Sequence, residues 1–212
     1  MNRTQIRCVA LDFDGVVVDS MLVQEQIWRR VAKEVVGDEF VEDTIVANHY
    51  GGKAGDQIFD GLIISEGQRQ NLRRRKNEIW FAERGLMPLL PGVKSILPCI
   101  KNAHFRTAIA TTADRAYVEA VLSRELLASF IDVIVTNRDV EHGKPSPDII
   151  KKIADFFNLR PREVLLIGDS ASDMQMSKNA DCAFIMLGKP TGGTDLVARD
   201  WLELAELLGL AN

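Results

Sequence analysis

Five short runs of mostly apolar and β-branched residues, at 7–11, 106–110, 132–135, 163–167 and 182–187, constrain this chain more than anything else in it. Runs that are apolar almost without interruption suit strands buried on both faces, as in a parallel sheet, rather than half-exposed strands that alternate apolar with polar. Helical patterns separate most of them. After Ser146, Pro147 and Asp148, the residues Ile149, Ile150, Ile153, Ala154 and Phe157 fall on one helical face, with a serine N-cap and a proline in the first turn. Ser172 followed by Gln175 has capping-box spacing and would put Asp173 in the first turn of another helix. Alternating strands and helices predict an α/β fold with a doubly wound parallel sheet.

The alternation fails between Ser20 and Pro88. Ile27, Val31 and Val35 recur at helical spacing and stop at Gly37; Asp56 precedes Ile58, Phe59, Leu62 and Ile63; Leu72, Ile79 and Trp80 follow Gly67 and stop near Gly85. This pattern predicts a small all-helical cap at 19–88, inserted into a core made of 1–18 and 89–212. A length of 212 residues fits one core with an insertion, given about 150 residues per domain. The two connections, at 16–20 and at 86–93 where Pro88, Pro91 and Gly92 cluster, predict a hinge by which the cap could open and close.

Composition excludes several classes. With 26 basic and 30 acidic residues the net charge is −4, which argues against a nucleic-acid partner and requires any anionic substrate to be held by local charge. Cys8, Cys99 and Cys182 are the only cysteines and lack paired spacing, so neither a disulfide framework nor a zinc site is expected. No run approaches the ~20 apolar residues of a membrane span, and Asp12 and Asp14 interrupt the N-terminal apolar segment before it could serve as a signal sequence. A soluble, cytoplasmic protein with no membrane partner is the expectation; monomer and dimer are both left open.

In open α/β sheets ligands bind beyond the carboxyl ends of the strands, so the residues where each strand runs out carry the information. Here they are Asp12 and Asp14 after the first, Thr111 and Thr112 after the second, Lys144 in the loop after the third, and Asp169 and Asp173 after the fourth. Singly, such residues cap helices, complete turns or stay solvated. Together, four acids, a hydroxyl and an ammonium at neighbouring strand ends are hard to explain by capping. Carboxylates sharing a site oppose one another's ionisation unless a cation intervenes, and an all-oxygen donor set favours a hard divalent ion such as Mg2+. Carboxylate-held Mg2+ is a usual way to present a metal to phosphate, so a small phosphorylated metabolite is the expected partner.

These residues also fall into a known pattern. Asp12-Phe13-Asp14-Gly15-Val16-Val17-Val18-Asp19-Ser20 resembles the first motif of the haloacid dehalogenase superfamily, Thr111-Thr112 its second, the lysine of Gly143-Lys144-Pro145-Ser146-Pro147-Asp148 its third, and Gly168-Asp169-Ser170-Ala171-Ser172-Asp173 its fourth, in the family's order. The resemblance implies strand order 5-4-1-2-3 and a helical cap of the phosphoglycolate phosphatase and β-phosphoglucomutase type. It further implies that Asp12 is the nucleophile, that Asp14 serves as acid and then base, and that Thr111, Thr112 and Lys144 hold phosphoryl oxygens. The ion would be held by Asp12, the Asp14 carbonyl, Asp169 and Asp173, and Gly15 would let the backbone pass close to the phosphate. The presence of Asp14 favours phosphoester chemistry over dehalogenation or phosphonate cleavage.

Substrate choice is expected from the cap loop His49-Tyr50-Gly51-Gly52-Lys53-Ala54-Gly55, with Gly52 and Lys53 as candidate substrate contacts and a solvated loop lysine as the competing account. Gln24 and Ala54 stand where β-phosphoglucomutases carry a histidine and an arginine, which ranks phosphoryl transfer between sugar positions below hydrolysis. A signalling receiver and a non-catalytic phosphate-binding interaction protein complete the alternatives. The basic run of Arg69, Arg73, Arg74, Arg75 and Lys76 is expected to be a solvated helical face, and Trp28, Trp80 and Trp201 to serve packing.

Overall fold

The computed structural model describes residues 6–50, 58–190 and 196–210, without the side chains of His49 and Tyr50. The chain divides into two compact units, residues 1–19 with 88–212 and residues 20–87.

The larger unit is built on β1 (Cys8–Leu11), β2 (Arg106–Thr111), β3 (Val133–Thr136), β4 (Val164–Gly168), β5 (Ala183–Leu187) and β6 (Val197–Ala198). All pair in parallel in the order β3-β2-β1-β4-β5-β6. The expected order 5-4-1-2-3 is present, extended by β6, a two-residue strand too short to announce itself in sequence. β1 lies at the centre and all four of its residues are buried, as its unbroken apolar run requires. One sheet face places Cys8, Ala10, Ala108, Ala110, Val164 and Leu166 against Ile149, Ile150, Ile153 and Ala154 of α6 (Asp148–Phe156) and Met176 and Ala180 of α7 (Ala171–Ala180). The alternate residues Val9, Leu11, Ile109, Leu165 and Ile167 are equally buried and point to the other face by the two-residue period of a strand. Two further helices bury apolar stripes in this unit: α4 (Val93–Asn102) through Val93, Ile96, Leu97 and Ile100, and α5 (Arg115–Arg124) through Tyr117, Val118, Val121 and Leu122.

Local capping departs from expectation in two places. Pro147, not Ser146, is the N-cap of α6, and Asp148 opens that helix. At α7 the capping box is Ser170 with Asp173, not Ser172 with Gln175, although Asp173 does fall in the first turn. The connections to the smaller unit pair with each other: Val18 and Leu89 form an antiparallel bridge, Asp19 donates to the Pro88 carbonyl at 2.9 Å, and Leu90 donates to that of Val17 at 3.0 Å. Trp201, at the start of α8 (Trp201–Leu208), donates its indole N–H to the Val16 carbonyl at 2.7 Å, which ties the C-terminal helix to the first of these connections.

The smaller unit holds α1 (Ser20–Val35), α2 (Glu39–Tyr50) and α3 (Glu66–Glu83). Ile27, Trp28, Val31, Ala32, Val41, Ile45, Ile58, Phe59, Leu62 and Leu72 form its core. α2 was not anticipated, and the helix expected from Asp56 to Ile63 is absent from its described part: residues 58–61 make only a short turn, and Ile63 is fully exposed. The basic run on α3 is more than a solvated face. Arg69 and Arg73 lie over the Phe59 ring at 5.6 and 5.3 Å, Lys76 lies over Trp80 at 4.9 Å, and Arg75 pairs with Glu34 at 2.9 Å. No described helix is long and apolar enough to cross a membrane.

Candidate active site

The parallel register brings the strand ends together. Asp12 follows β1 directly and its N–H donates to the Ile167 carbonyl of β4 at 2.9 Å, so Gly168 and Asp169 lie beside it. On the other side β1 pairs with β2 through Leu11 and Ile109, and Thr111 ends β2 two residues further on.

Asp12 is 9% exposed, and its Oδ1 accepts the Phe13 N–H at 2.7 Å. The same oxygen lies 2.8 Å from Lys144 Nζ, which lies 2.6 Å from Asp173 Oδ1. The Lys144 side chain is 4% exposed and that of Asp173 wholly buried, so these are desolvated ion pairs that water scarcely screens. The other Asp173 oxygen, Oδ2, accepts the Ser170 hydroxyl at 2.5 Å, and Ser170 Oγ in turn accepts the Asp173 N–H at 3.2 Å. One Asp173 oxygen therefore serves the cap of α7 while the other pairs with Lys144. Asn179 on α7 donates to the Pro145 carbonyl at 2.9 Å and braces the same loop.

Two glycines make the approach of these acids possible. A Cβ on Gly168 would stand 2.4 Å from Cβ of Asp173. At Gly15, where φ is +75°, a Cβ would stand 1.9 Å from Asp169 Oδ2 and 2.5 Å from its Cγ. The direction a Gly15 Cβ would take is filled by the Asp169 carboxylate, and the positive φ is that of the tight turn expected there.

Charge in the cluster is out of balance. Burial pushes the Asp12 carboxyl up to about 7; Lys144 pulls it back and Asp173 adds to the rise. Burial and the nearby Asp173 push Asp169 up to about 6. Lys144, which burial alone would lower, is held above the ordinary lysine range by the carboxylates of Asp12 and Asp173. One ammonium does not satisfy three acids, and one carboxylate oxygen from each of Asp12, Asp169 and Asp173 lies within 4.8 Å of the other two. An oxygen-only set with surplus negative charge fits a hard divalent cation. Gly15→Ala should force Asp169 out of this set and add about 1–2 kcal/mol of left-handed backbone strain. Titration calorimetry should then show divalent-ion affinity at least about tenfold weaker, and unchanged affinity would take Asp169 out of the ion's coordination.

Thr111 is buried and its Oγ1 accepts the Ala113 N–H at 3.1 Å, which leaves its hydroxyl hydrogen to point at an oxygen in the site. Thr112, by contrast, is exposed. Asp14 is half-buried, and its Oδ1 accepts a hydrogen bond from the Tyr117 hydroxyl at 3.2 Å, a residue the sequence did not single out. His142 donates its backbone N–H to Asp148 at 3.2 Å, and its side chain is largely exposed. Burial pushes the Cys8 thiol up to about 12, so it behaves as a core hydrophobe. Gly52 and Lys53 lie outside the described residues, as does the rest of the cap loop beyond Tyr50.

Residues 9–187 match the profile of the haloacid dehalogenase-like hydrolases. The chain belongs to that family. Among curated relatives, the phosphoglycolate phosphatase of Vibrio parahaemolyticus is 28% identical with all of both chains covered. The β-phosphoglucomutase of Bacillus subtilis is 24% identical over 96% of this hydrolase and 94% of that protein. Of solved structures, a haloacid dehalogenase-superfamily hydrolase of subfamily IA from Geobacter sulfurreducens has the same fold, with a TM-score of 0.77 at 23% identity over 97% of each chain.

Proposed function

We propose that this hydrolase is a Mg2+-dependent phosphatase that releases phosphate from a small phosphorylated metabolite, of the phosphoglycolate or sugar-phosphate kind, through a phosphoryl group carried on Asp12. The observation that carries the reading is Asp12 itself: a carboxylate at the end of a fully buried central strand, 2.8 Å from a buried lysine and grouped with two further acids. A relative that spans the whole chain and bears the name phosphoglycolate phosphatase supports the substrate class.

In the proposed cycle an Asp12 oxygen forms the new bond to phosphorus as the ester P–O bond breaks, and Asp14 gives its proton to the departing oxygen. Asp14, now ionised, takes a proton from water as that water's oxygen attacks the phosphoryl group and frees Asp12. Lys144 stays charged throughout because two carboxylates face it, and with the Thr111 hydroxyl and the Thr112 amide it holds the phosphoryl oxygens. A divalent ion held by Asp12, Asp169 and the Asp14 carbonyl, with Asp173 alongside, would neutralise charge on those oxygens.

Incubation with a panel of phosphorylated metabolites and Mg2+ is expected to release inorganic phosphate with a clear preference in kcat/KM, and EDTA is expected to abolish it. Equal activity with and without EDTA would refute the metal dependence. An isomerised sugar phosphate in place of free phosphate would instead establish the mutase reading, against which Gln24 stands because a glutamine cannot shuttle a proton.

A further inference from the structure

Tyr117 lies in α5, 103 residues along the chain from Asp14, yet its hydroxyl donates to Asp14 Oδ1 at 3.2 Å. The residue is 3% exposed, and its ring meets Phe13 edge to face, with centroids 5.3 Å apart and an interplanar angle of 87°. A buried phenol takes a hydrogen-bond partner, and here the partner is the carboxylate proposed to handle protons. The ring is held by packing, so the hydroxyl is a fixed reference point for a half-exposed side chain that lies within a tight turn, in which Val17 and Val18 both donate to the Phe13 carbonyl.

We propose that Tyr117 is the positioning residue for Asp14: it fixes the rotamer of the carboxyl and directs the exchangeable proton to Oδ2. The inference rests on the phosphatase reading above. While Oδ1 accepts the phenolic O–H, the neutral acid carries its own hydrogen on Oδ2. In the first half-reaction the Oδ2–H bond breaks as the ester oxygen leaves with the electron pair of its bond to phosphorus and gains that hydrogen. In the second, a water O–H bond breaks and Oδ2–H forms again. Tyr117 keeps its own proton in both and touches neither substrate nor water.

Leaving-group dependence separates this role from a merely structural one. A proton on the leaving oxygen matters greatly for an alkoxide and little for p-nitrophenolate, which departs as a stable anion. Tyr117→Phe keeps the ring and its contact with Phe13 while removing the hydroxyl. Assayed with Mg2+, this variant is expected to lose about tenfold in kcat/KM on propyl phosphate, part of the 10²–10⁴ that a well-placed acid supplies. On p-nitrophenyl phosphate it should keep kcat/KM within about twofold, since no acid is needed there. An equal fall on both esters would reduce Tyr117 to a packing residue, and an unchanged value on propyl phosphate would overturn the proposal. A wild-type protein that released phosphate from neither ester nor any member of the metabolite panel would overturn the phosphatase reading and this inference with it, so the wild-type rates and the variant ratios test the two separately.

Discussion

Asp12→Asn is expected to lower phosphate release by at least about three orders of magnitude, since removal of a catalytic nucleophile leaves only the contribution of binding and electrostatics. The size of the effect follows from the lack of a substitute. Asp173 has one oxygen committed to Ser170 and the other to Lys144, and the Asp169 carboxylate is seated against Gly15. Folding should survive the change. In the metal-free protein burial already pushes the Asp12 carboxyl up to about 7, so a neutral amide of the same shape relieves repulsion with Asp169 and Asp173, while Lys144 keeps Asp173 as a partner. A melting temperature within a few degrees of wild type, measured in EDTA beside the loss of turnover, is the expected pair of results. Activity above a tenth of wild type would mean that Asp12 is not the group that takes up phosphorus.

The core of this site was legible because the sheet is parallel. Strands buried on both faces leave unbroken apolar runs, and their ends mark where polar residues must emerge; Asp12, Thr111, Lys144 and Asp169 could all be named from that rule together with the motif pattern. What remained hidden depends on contacts distant in sequence or on weak local periodicity. Tyr117 meets Asp14 across 103 residues, and nothing near either position predicts the meeting. The sequence does not signal α2 because Phe40, next to the buried Val41, is exposed and blurs its apolar stripe, whereas Ile58, Phe59, Leu62 and Ile63 imitate a stripe although Ile63 is fully exposed to solvent. Ser170 and Ser172 both offer a capping hydroxyl to α7, and the choice between them is not local: with Ser170 as the cap, the other Asp173 oxygen pairs with Lys144.

That coupling makes Lys144→Met the second large effect. The substitution keeps most of the length of the side chain and removes the only cation paired with Asp12 and Asp173 among the described residues. Turnover should fall about 10²–10³-fold, the usual cost of losing one preorganised group that faces the developing charge. Stability in EDTA should fall by about 3 kcal/mol at pH 8, because breaking a buried pair strands the opposite charge. The pH dependence identifies the cause. A carboxyl whose folded-state pKa lies above its unfolded value holds extra protons in the native state, so the fold is favoured below the ordinary carboxylate range and loses that advantage as pH rises through the folded value. For wild type this loss runs from about 4 to about 7 through Asp12 and to about 6 through Asp169. Without Lys144 the Asp12 value moves higher, so the loss is larger and extends further into the alkaline range. Denaturant unfolding should therefore show a gap between variant and wild type that is small at pH 5 and widest at pH 8. A gap independent of pH would mean that Lys144 contributes by packing its methylenes and not by charge, and Asp12 would then have to be kept ionised by some other group.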